Sequence, residues 1–376
     1  MRRARLFVVV IAVLGMLAAA CSKSTSTGGA TPSSSGGSQS AAGPSITPAS
    51  SLKGSGSSFA GPLYSKWAEA FQASNHIQVN YAPSSSGQGI ANLTANPPLV
   101  DFAGTDVPYA PTQTSVPAIL NIPTALGAVV VTYNLPGVTK VVQLSGQTLA
   151  DIISTKVKKW NDAEITKDNP GVTLPATNIT VVHRTGNSGT TYIFTSYLSA
   201  VSSDWKSAFG ASAGPTWPAG TLGEASSSNL TARVKATPGA IGYVELTYAL
   251  QNNVTAASLQ NADKTAYVAP TVTTTAAAAS HFDVSTLTGN NLIFLAVNEP
   301  GSDSYPIVGP TYALAYQAQT DGPKGKALVE FLSWGLTTGQ GLEAPLSYVA
   351  LPTALAQKAT AAVDSITYNG KPLRSA

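Results

Sequence analysis

Three features of the 376-residue chain predict an α/β fold. Short β-branched runs alternate with stretches of helical periodicity. Polar clusters fall where a strand-like run gives way to a helix-like one, and no internal repeat divides the chain. "HIQVNYAP" reads as a strand followed by the turn-rich "SSSGQGIANLT", and "VDFAGTDVP" as a short strand with a polar end. "LGAVVVTYNLPG" and "NITVVHR" carry the unbroken apolar or β-branched character of buried strands. Between them "TLADIISTKVKKWNDAEI" has helical spacing through Leu149, Ile152, Ile153, Val157 and Trp160. Further on, "GPKGKALVEFLSWGLTTG" predicts a helix with Leu328, Phe331 and Leu332 on its buried face and Gly339 as its stop.

The first 51 residues stand apart from this pattern. Arg2, Arg3 and Arg5 precede the apolar run "LFVVVIAVLGMLAAA", which predicts a signal peptide over residues 1–20. Cys21 follows three alanines and is the sole cysteine of the chain, so neither a disulfide framework nor a cysteine metal site is expected. Small residues followed by Cys resemble a bacterial lipoprotein signal, although Leu17 lies one residue further from the cysteine than usual. Cys21 is therefore expected to carry a lipid anchor. The Ser/Gly/Thr/Pro tract after it has too little apolar surface to offset ordering entropy, so residues 21–51 read as a lipidated cysteine and a flexible tether.

Composition narrows the function classes. The 21 basic side chains include the three leader arginines, so a processed chain has 18 basic against 18 acidic residues. That balance excludes a broad cationic surface and with it nucleic-acid binding. The three histidines, His76, His183 and His281, have no zinc-ligand spacing, and no GxSxG is present. No Ser/His/Asp arrangement supplies a base for a nucleophile, so no catalytic residue, metal or cofactor is expected.

Four junctions carry the polar clusters. In "GSGSSFAGPLYSKWAEAF", Pro62 suits a first helical turn, Leu63, Trp67 and Phe71 share one face, and Ser58 and Phe59 precede the helix start. In "YAPSSSGQGI", serines and glycines lead to Ile90 at a second helix entry. In "VDFAGTDVPYA", Asp106 ends a strand and offers a carboxylate acceptor within a group otherwise rich in donors. In "HRTGNSGTTYIF", the strand delivers Arg184, and Ser188, Gly189 and Thr190 open a helix whose core face includes Ile193, Phe194 and Tyr197. Free N–H groups and the positive end of the helix dipole make such starts anion sites, and the arginine adds a planar fork for two oxygens. Each motif also reads as a plain helix cap or turn. The lysine of a GxxxxGK[ST] loop is absent, which separates the fourth junction from a nucleotide P-loop.

Taken in order, these motifs with "TPGAIGYVELTYALQNN" and "WGLTTGQGLEAPLSYVALP" resemble the phosphate-binding proteins of the phosphate-specific ABC transporter, from about Leu52 to near the C terminus. The resemblance implies a periplasmic-binding-protein fold of type II, two hinge-linked open sheets flanked by helices. It implies lobe I from residues 52–124 with 305–376 and lobe II from 125–304, the chain crossing near 122–126 and 304–308. It further implies a monomer that binds inorganic phosphate outside the cytoplasm, held at the cell membrane by its lipid, and delivers the ion to the transporter permease. The phosphate ligands implied are Ser58, Phe59, Ser86 (with Ser85 a competitor), Asp106, Arg184, Ser188, Gly189 and Thr190. Asp106 would then accept the proton that phosphate keeps and sulfate lacks. The family commonly reads Arg-x-Asp-Gly-Ser-Gly-Thr here, whereas this chain has Gly186 in place of the acid, so the pocket is expected to be one negative charge poorer. A receptor for another tetrahedral oxyanion, a secreted phosphatase and an added adhesin role are the alternative readings.

Overall fold

The computed structural model describes residues 46–110 and 118–374, and strands and helices alternate along them. The leader, Cys21 and most of the tether lie outside the described residues. The strands are β1 (Ser51–Ser57), β2 (Gln78–Ser84), β3 (Phe102–Thr105), β4 (Ile119–Tyr133), β5 (Gln143–Leu144), β6 (Thr180–Arg184), β7 (Leu222–Glu224) and β8 (Ala240–Glu245). They continue as β9 (Ser258–Gln260), β10 (Tyr267–Val268), β11 (Ala296–Val297), β12 (Ile307–Tyr316), β13 (Ala318–Gln319), β14 (Thr367–Tyr368) and β15 (Lys371–Pro372). The helices are α1 (Gly61–Asn75), α2 (Ser86–Thr94), α3 (Gly146–Ile153), α4 (Ala163–Asp168), α5 (Gly189–Val201) and α6 (Ser203–Ala208). They continue as α7 (Ser227–Ala236), α8 (Leu246–Gln251), α9 (Val272–His281), α10 (Gly322–Gly335) and α11 (Thr353–Asp364).

One strand organises the architecture. All 15 residues of β4 are buried, because "ILNIPTALGAVVVTY" has no charge and is largely apolar on both faces. Up to Ala128 it pairs antiparallel with β12, and from Val129 it pairs antiparallel with β8. The main sheet runs β2-β1-β3-β12-β4-β8-β6-β7, with β11 on the flank of β12. The α/β class holds, and the two open sheets implied by the resemblance are joined into one hydrogen-bonded path by this strand. At one end β1 is parallel to β2 and β3; at the other β6 is parallel to β7 and β8. Within each group the carboxyl ends share an edge, which is where open α/β sheets hold ligands.

Two expectations about helices are corrected. The helix from Leu149 stops at Ile153, and Thr155 turns left-handed with φ 62°. Val157 and Trp160 are buried although they lie outside the helix. The backbone there makes sheet-like bonds instead, Trp160 N to Thr177 O at 3.0 Å and Ile179 N to Lys158 O at 2.9 Å. Tertiary pairing overrides the helical period. Likewise α10 ends at Gly335, and Gly339 sits in a 3-10 turn at Thr338–Leu342. The buried Trp67 of α1 packs against both glycines and donates its indole N–H to the Gly339 carbonyl at 2.9 Å. The packed domain also starts before Leu52: Ile46 and Ala49 pack against the core, and Ala49 N bonds to Pro323 O at 2.9 Å.

The core contains an acid that sets a pH dependence. Glu343 is fully buried beside β4, where Gln340 Nε2 donates to its Oε1 at 2.7 Å and to the Thr124 carbonyl at 3.0 Å. Burial pushes its carboxyl up from 4.5 to about 9. The folded state therefore holds a proton that the unfolded state gives up between those values, and stability falls as pH rises through that window. The slope is up to about 1.4 kcal/mol per pH unit for one such group. Glu343→Gln is expected to flatten the loss of thermal stability between pH 7 and 9, measured by circular dichroism. An unchanged slope would contradict the assignment.

Candidate anion-binding site

Six junctions converge where the two ends of the sheet meet. Four are those the sequence points to; the β7-to-α7 and β8-to-α8 turns join them. Ser58, Phe59, Ser86, Asp106, Arg184, Ser188 and Thr190 are all buried, as is Gly189.

Asp106 is 1% exposed at the end of β3. Ser57 Oγ donates to its carboxylate, at 2.7 Å from Oδ1 and 2.6 Å from Oδ2, and Ser86 Oγ lies 3.4 Å from Oδ2. Ser86 Oγ also accepts the Asp106 N–H at 3.1 Å. Ser85, by contrast, is the N-cap of α2 and accepts Gln88 N at 3.2 Å. Burial pushes the Asp106 carboxyl up from 3.8 to about 7, against the lowering hydrogen bond from Ser57; the charge of Glu245 adds to the rise and Arg184 opposes it.

Arg184, 1% exposed, ends β6 with its guanidinium turned across the sheet. Nη1 donates to Ser58 Oγ at 3.0 Å and to Ser227 Oγ at 2.8 Å, while Nη2 donates to the Ala225 carbonyl at 3.1 Å and reaches the Ser84 carbonyl at 3.5 Å. Nε is buried and has no partner among the described residues. Beside it the imidazole of His183 stacks on Trp217, ring centroids 4.4 Å apart, and its Nδ1 lies 3.0 Å from the Arg184 carbonyl. Burial lowers the pKa of that imidazole. Its role is packing behind the arginine.

The start of α5 meets the first-half residues directly. A Cβ built on Gly189 would lie 2.3 Å from Asp106 Oδ2 and 2.5 Å from Ser86 Oγ, so glycine alone fits at this approach. Gly87 N donates to Asn187 O at 3.0 Å, and Tyr248 Oη donates to Ser58 O at 2.9 Å across the same seam. The donor set at α5 is narrower than the motif suggests. Ser188 is the N-cap, its Oγ accepting Thr191 N at 3.3 Å, and its own N–H is shared by Ala213 O and Gly186 O at 2.9 and 3.1 Å. Thr190 Oγ1 donates to Glu245 Oε1 at 2.5 Å. The groups left for an anion are the Ser188 hydroxyl hydrogen and the N–H groups of Gly189 and Thr190, which have no acceptor within the helix. Phe59 stacks on Tyr348 and its carbonyl accepts the Tyr348 hydroxyl, which leaves its N–H as its contribution.

Ser57, Ser227 and Glu245 escape the sequence reading. "SSSN" reads as a helix cap, which Ser226 indeed supplies, and a glutamate after a strand reads as a solvated helix start. Ser57 stands next to Ser58 in the same motif, and only its side-chain direction distinguishes it. Among the described residues no cluster of His, Cys, Asp and Glu could hold a metal.

Residues 30–334 match a family model described as a PBP superfamily domain. The phosphate-binding protein PstS of Xylella fastidiosa (strain 9a5c) is 37% identical over 308 residues, 82% of this chain and 83% of that protein. PstS of Methanocaldococcus jannaschii is 34% identical over 338 residues, covering 84% and 86% of the two chains. Among solved structures, a high affinity periplasmic phosphate-binding protein (PfluDING) bound with phosphate superposes with a TM-score of 0.65 at 21% identity, over 83% of this chain and 93% of that one. A phosphate binding protein from Stenotrophomonas maltophilia gives 0.64 at 20% identity, over 83% and 94%. These two share the fold. With its α/β sheet, its converging helix starts and relatives more than a third identical over most of their length, the chain belongs to the PBP superfamily and, within it, to the family of phosphate-binding proteins named PstS.

Proposed function

We propose that this protein captures inorganic phosphate outside the cytoplasm and delivers it to the permease of an ABC transporter, as a monomer tethered through a lipid on Cys21. One observation carries the reading. Ser58, Ser86 and Asp106 from one end of the sheet, and Arg184, Gly189 and Thr190 from the other, meet at a single buried seam. A charge-balanced protein can desolvate an anion there by aiming neutral donors at it, with one guanidinium to anchor two oxygens. The lobes are assigned to residues 52–124 with 305–376 and to 125–304. The change of partner along β4, from β12 to β8 after Ala128, supports a crossing nearby. Opening and closing about β4 and the start of β12 would admit and enclose the ion.

Asp106 supplies selectivity. Phosphate near neutral pH keeps a proton that it can donate to this carboxylate, whereas sulfate has none and would press an unpaired oxygen against it. A buried clash of that kind costs several kcal/mol, or orders of magnitude in affinity. Asp106→Asn is expected to raise the sulfate-to-phosphate affinity ratio at least about tenfold, since removing one like-charge contact is worth 1.4 kcal/mol or more. Titration calorimetry with both anions measures it. Sulfate rejection as strict as in the unsubstituted protein would contradict this role, and no phosphate binding by that protein would overturn the function.

A further inference from the structure

The family acid expected two residues after Arg184 is replaced by Gly186, which adopts φ 70° with nothing within 4 Å of where a Cβ would stand. That backbone favours glycine, and an acid there would be strained and directed into open space. A second carboxyl group approaches the site from another strand. Glu245 ends β8 with 1% of its surface exposed. Its Oε1 accepts from Thr190 Oγ1 at 2.5 Å and from Ser227 Oγ at 3.1 Å, while Oε2 is buried without a partner among the described residues. Ser227 Oγ in turn accepts from Arg184 Nη1 at 2.8 Å and lies 3.1 Å from Ser58 Oγ. One hydroxyl thus separates the carboxylate from the guanidinium, and one threonine separates it from the N–H groups of α5.

We propose that Glu245 is a specificity-determining residue of this site, supplying the charge missing at position 186 and, with Asp106, making the pocket disfavour anions that bear two charges and no proton. The inference rests on the phosphate reading above. The ionisable groups around Glu245 are Arg184 on β6, Asp106 after β3, Tyr243 on its own strand, Tyr248 on α8, and Tyr348. Arg184 alone of these is cationic. One positive charge against two carboxylates leaves the pocket net negative, so each further charge on the ligand is penalised in a medium that screens poorly. Phosphate escapes by retaining protons, one of which Asp106 can accept. Sulfate cannot.

The test is Glu245→Gln, whose amide oxygen still accepts from Thr190 and Ser227 while the charge is gone. Phosphate and sulfate affinities are measured by calorimetry on the phosphate-stripped protein. The expected result is a fall in the phosphate-to-sulfate preference of at least about tenfold, with sulfate binding gained. A residue that merely braced Thr190 would weaken both anions alike, and an unchanged preference would overturn the proposal. Glu245→Asp keeps the charge on a shorter arm: both affinities drop and the preference stays within about threefold of the original. That variant decides the matter if the glutamine form does not fold, because loss of preference in it contradicts a charge role. Normal phosphate binding with no change in either variant's preference removes Glu245 alone; absence of phosphate binding in the unsubstituted protein removes the reading of the site as well.

Discussion

Arg184→Ala is expected to weaken phosphate binding by about 100-fold or more, equivalent to about 2.7 kcal/mol. The guanidinium is buried, and its loss strands four acceptors at once: Ser58 Oγ, Ser227 Oγ, and the carbonyls of Ala225 and Ser84. Hydrogen bonds to a charged partner are worth roughly 1.5–3 kcal/mol each, and breaking one side of a buried pair costs more than an exposed one. It also removes the cation nearest the Asp106 and Glu245 carboxyl groups, and Arg184 is one of the groups that lower the Asp106 pKa. The apparent pKa of phosphate binding should therefore move upward together with the loss of affinity. Calorimetry at several pH values reads both; affinity near that of the unsubstituted protein would remove Arg184 from the site.

Gly189→Ala tests closure rather than charge. The added methyl would stand 2.3 Å from Asp106 Oδ2 and 2.5 Å from both Asp106 Cβ and Ser86 Oγ, well inside van der Waals contact. Its backbone lies outside the left-handed region, so alanine suits the first turn of α5 by itself. The clash is confined to the seam. If the two sides part by about 1 Å to relieve it, donors on one side no longer reach an ion held by the other, and hydrogen bonds weaken steeply with such displacements. A loss of at least about 100-fold in phosphate affinity is expected, with the melting temperature of the ligand-free protein nearly unchanged. A variant that melts much earlier would show that the contact serves folding instead.

The parts of the candidate site that are legible in the sequence are those where local pattern and global position coincide. Ser58, Ser86, Asp106 and the Arg184-to-Thr190 stretch each stand where a β-branched run meets helical spacing, and parallel strands carry such points to one edge of a sheet. The same logic reaches the buried faces of α1 and α5, since Leu63, Trp67, Phe71, Ile193 and Tyr197 repeat at the helical period and are buried. What the sequence hides is direction. Ser57 and Ser58 are adjacent and chemically identical, yet one binds Asp106 and the other Arg184. Glu245 and Ser227 look like solvated helix starts until the sheet brings them under Arg184. Lys156 to Trp160 kept the helical period because Val157 and Trp160 are buried for a tertiary reason, the latter donating its indole N–H to the Gly239 carbonyl at 2.9 Å. Periodicity reports which residues face a core, and it does not report which backbone takes them there.

A crystal structure of the phosphate-saturated protein tests the whole account in one measurement. The ion should lie between Ser58, Arg184 and the start of α5, with the N–H groups of Gly189 and Thr190 on its oxygens and one oxygen within hydrogen-bonding distance of the Asp106 carboxylate. An ion bound elsewhere, or one held by basic side chains with Asp106 turned away, would contradict it.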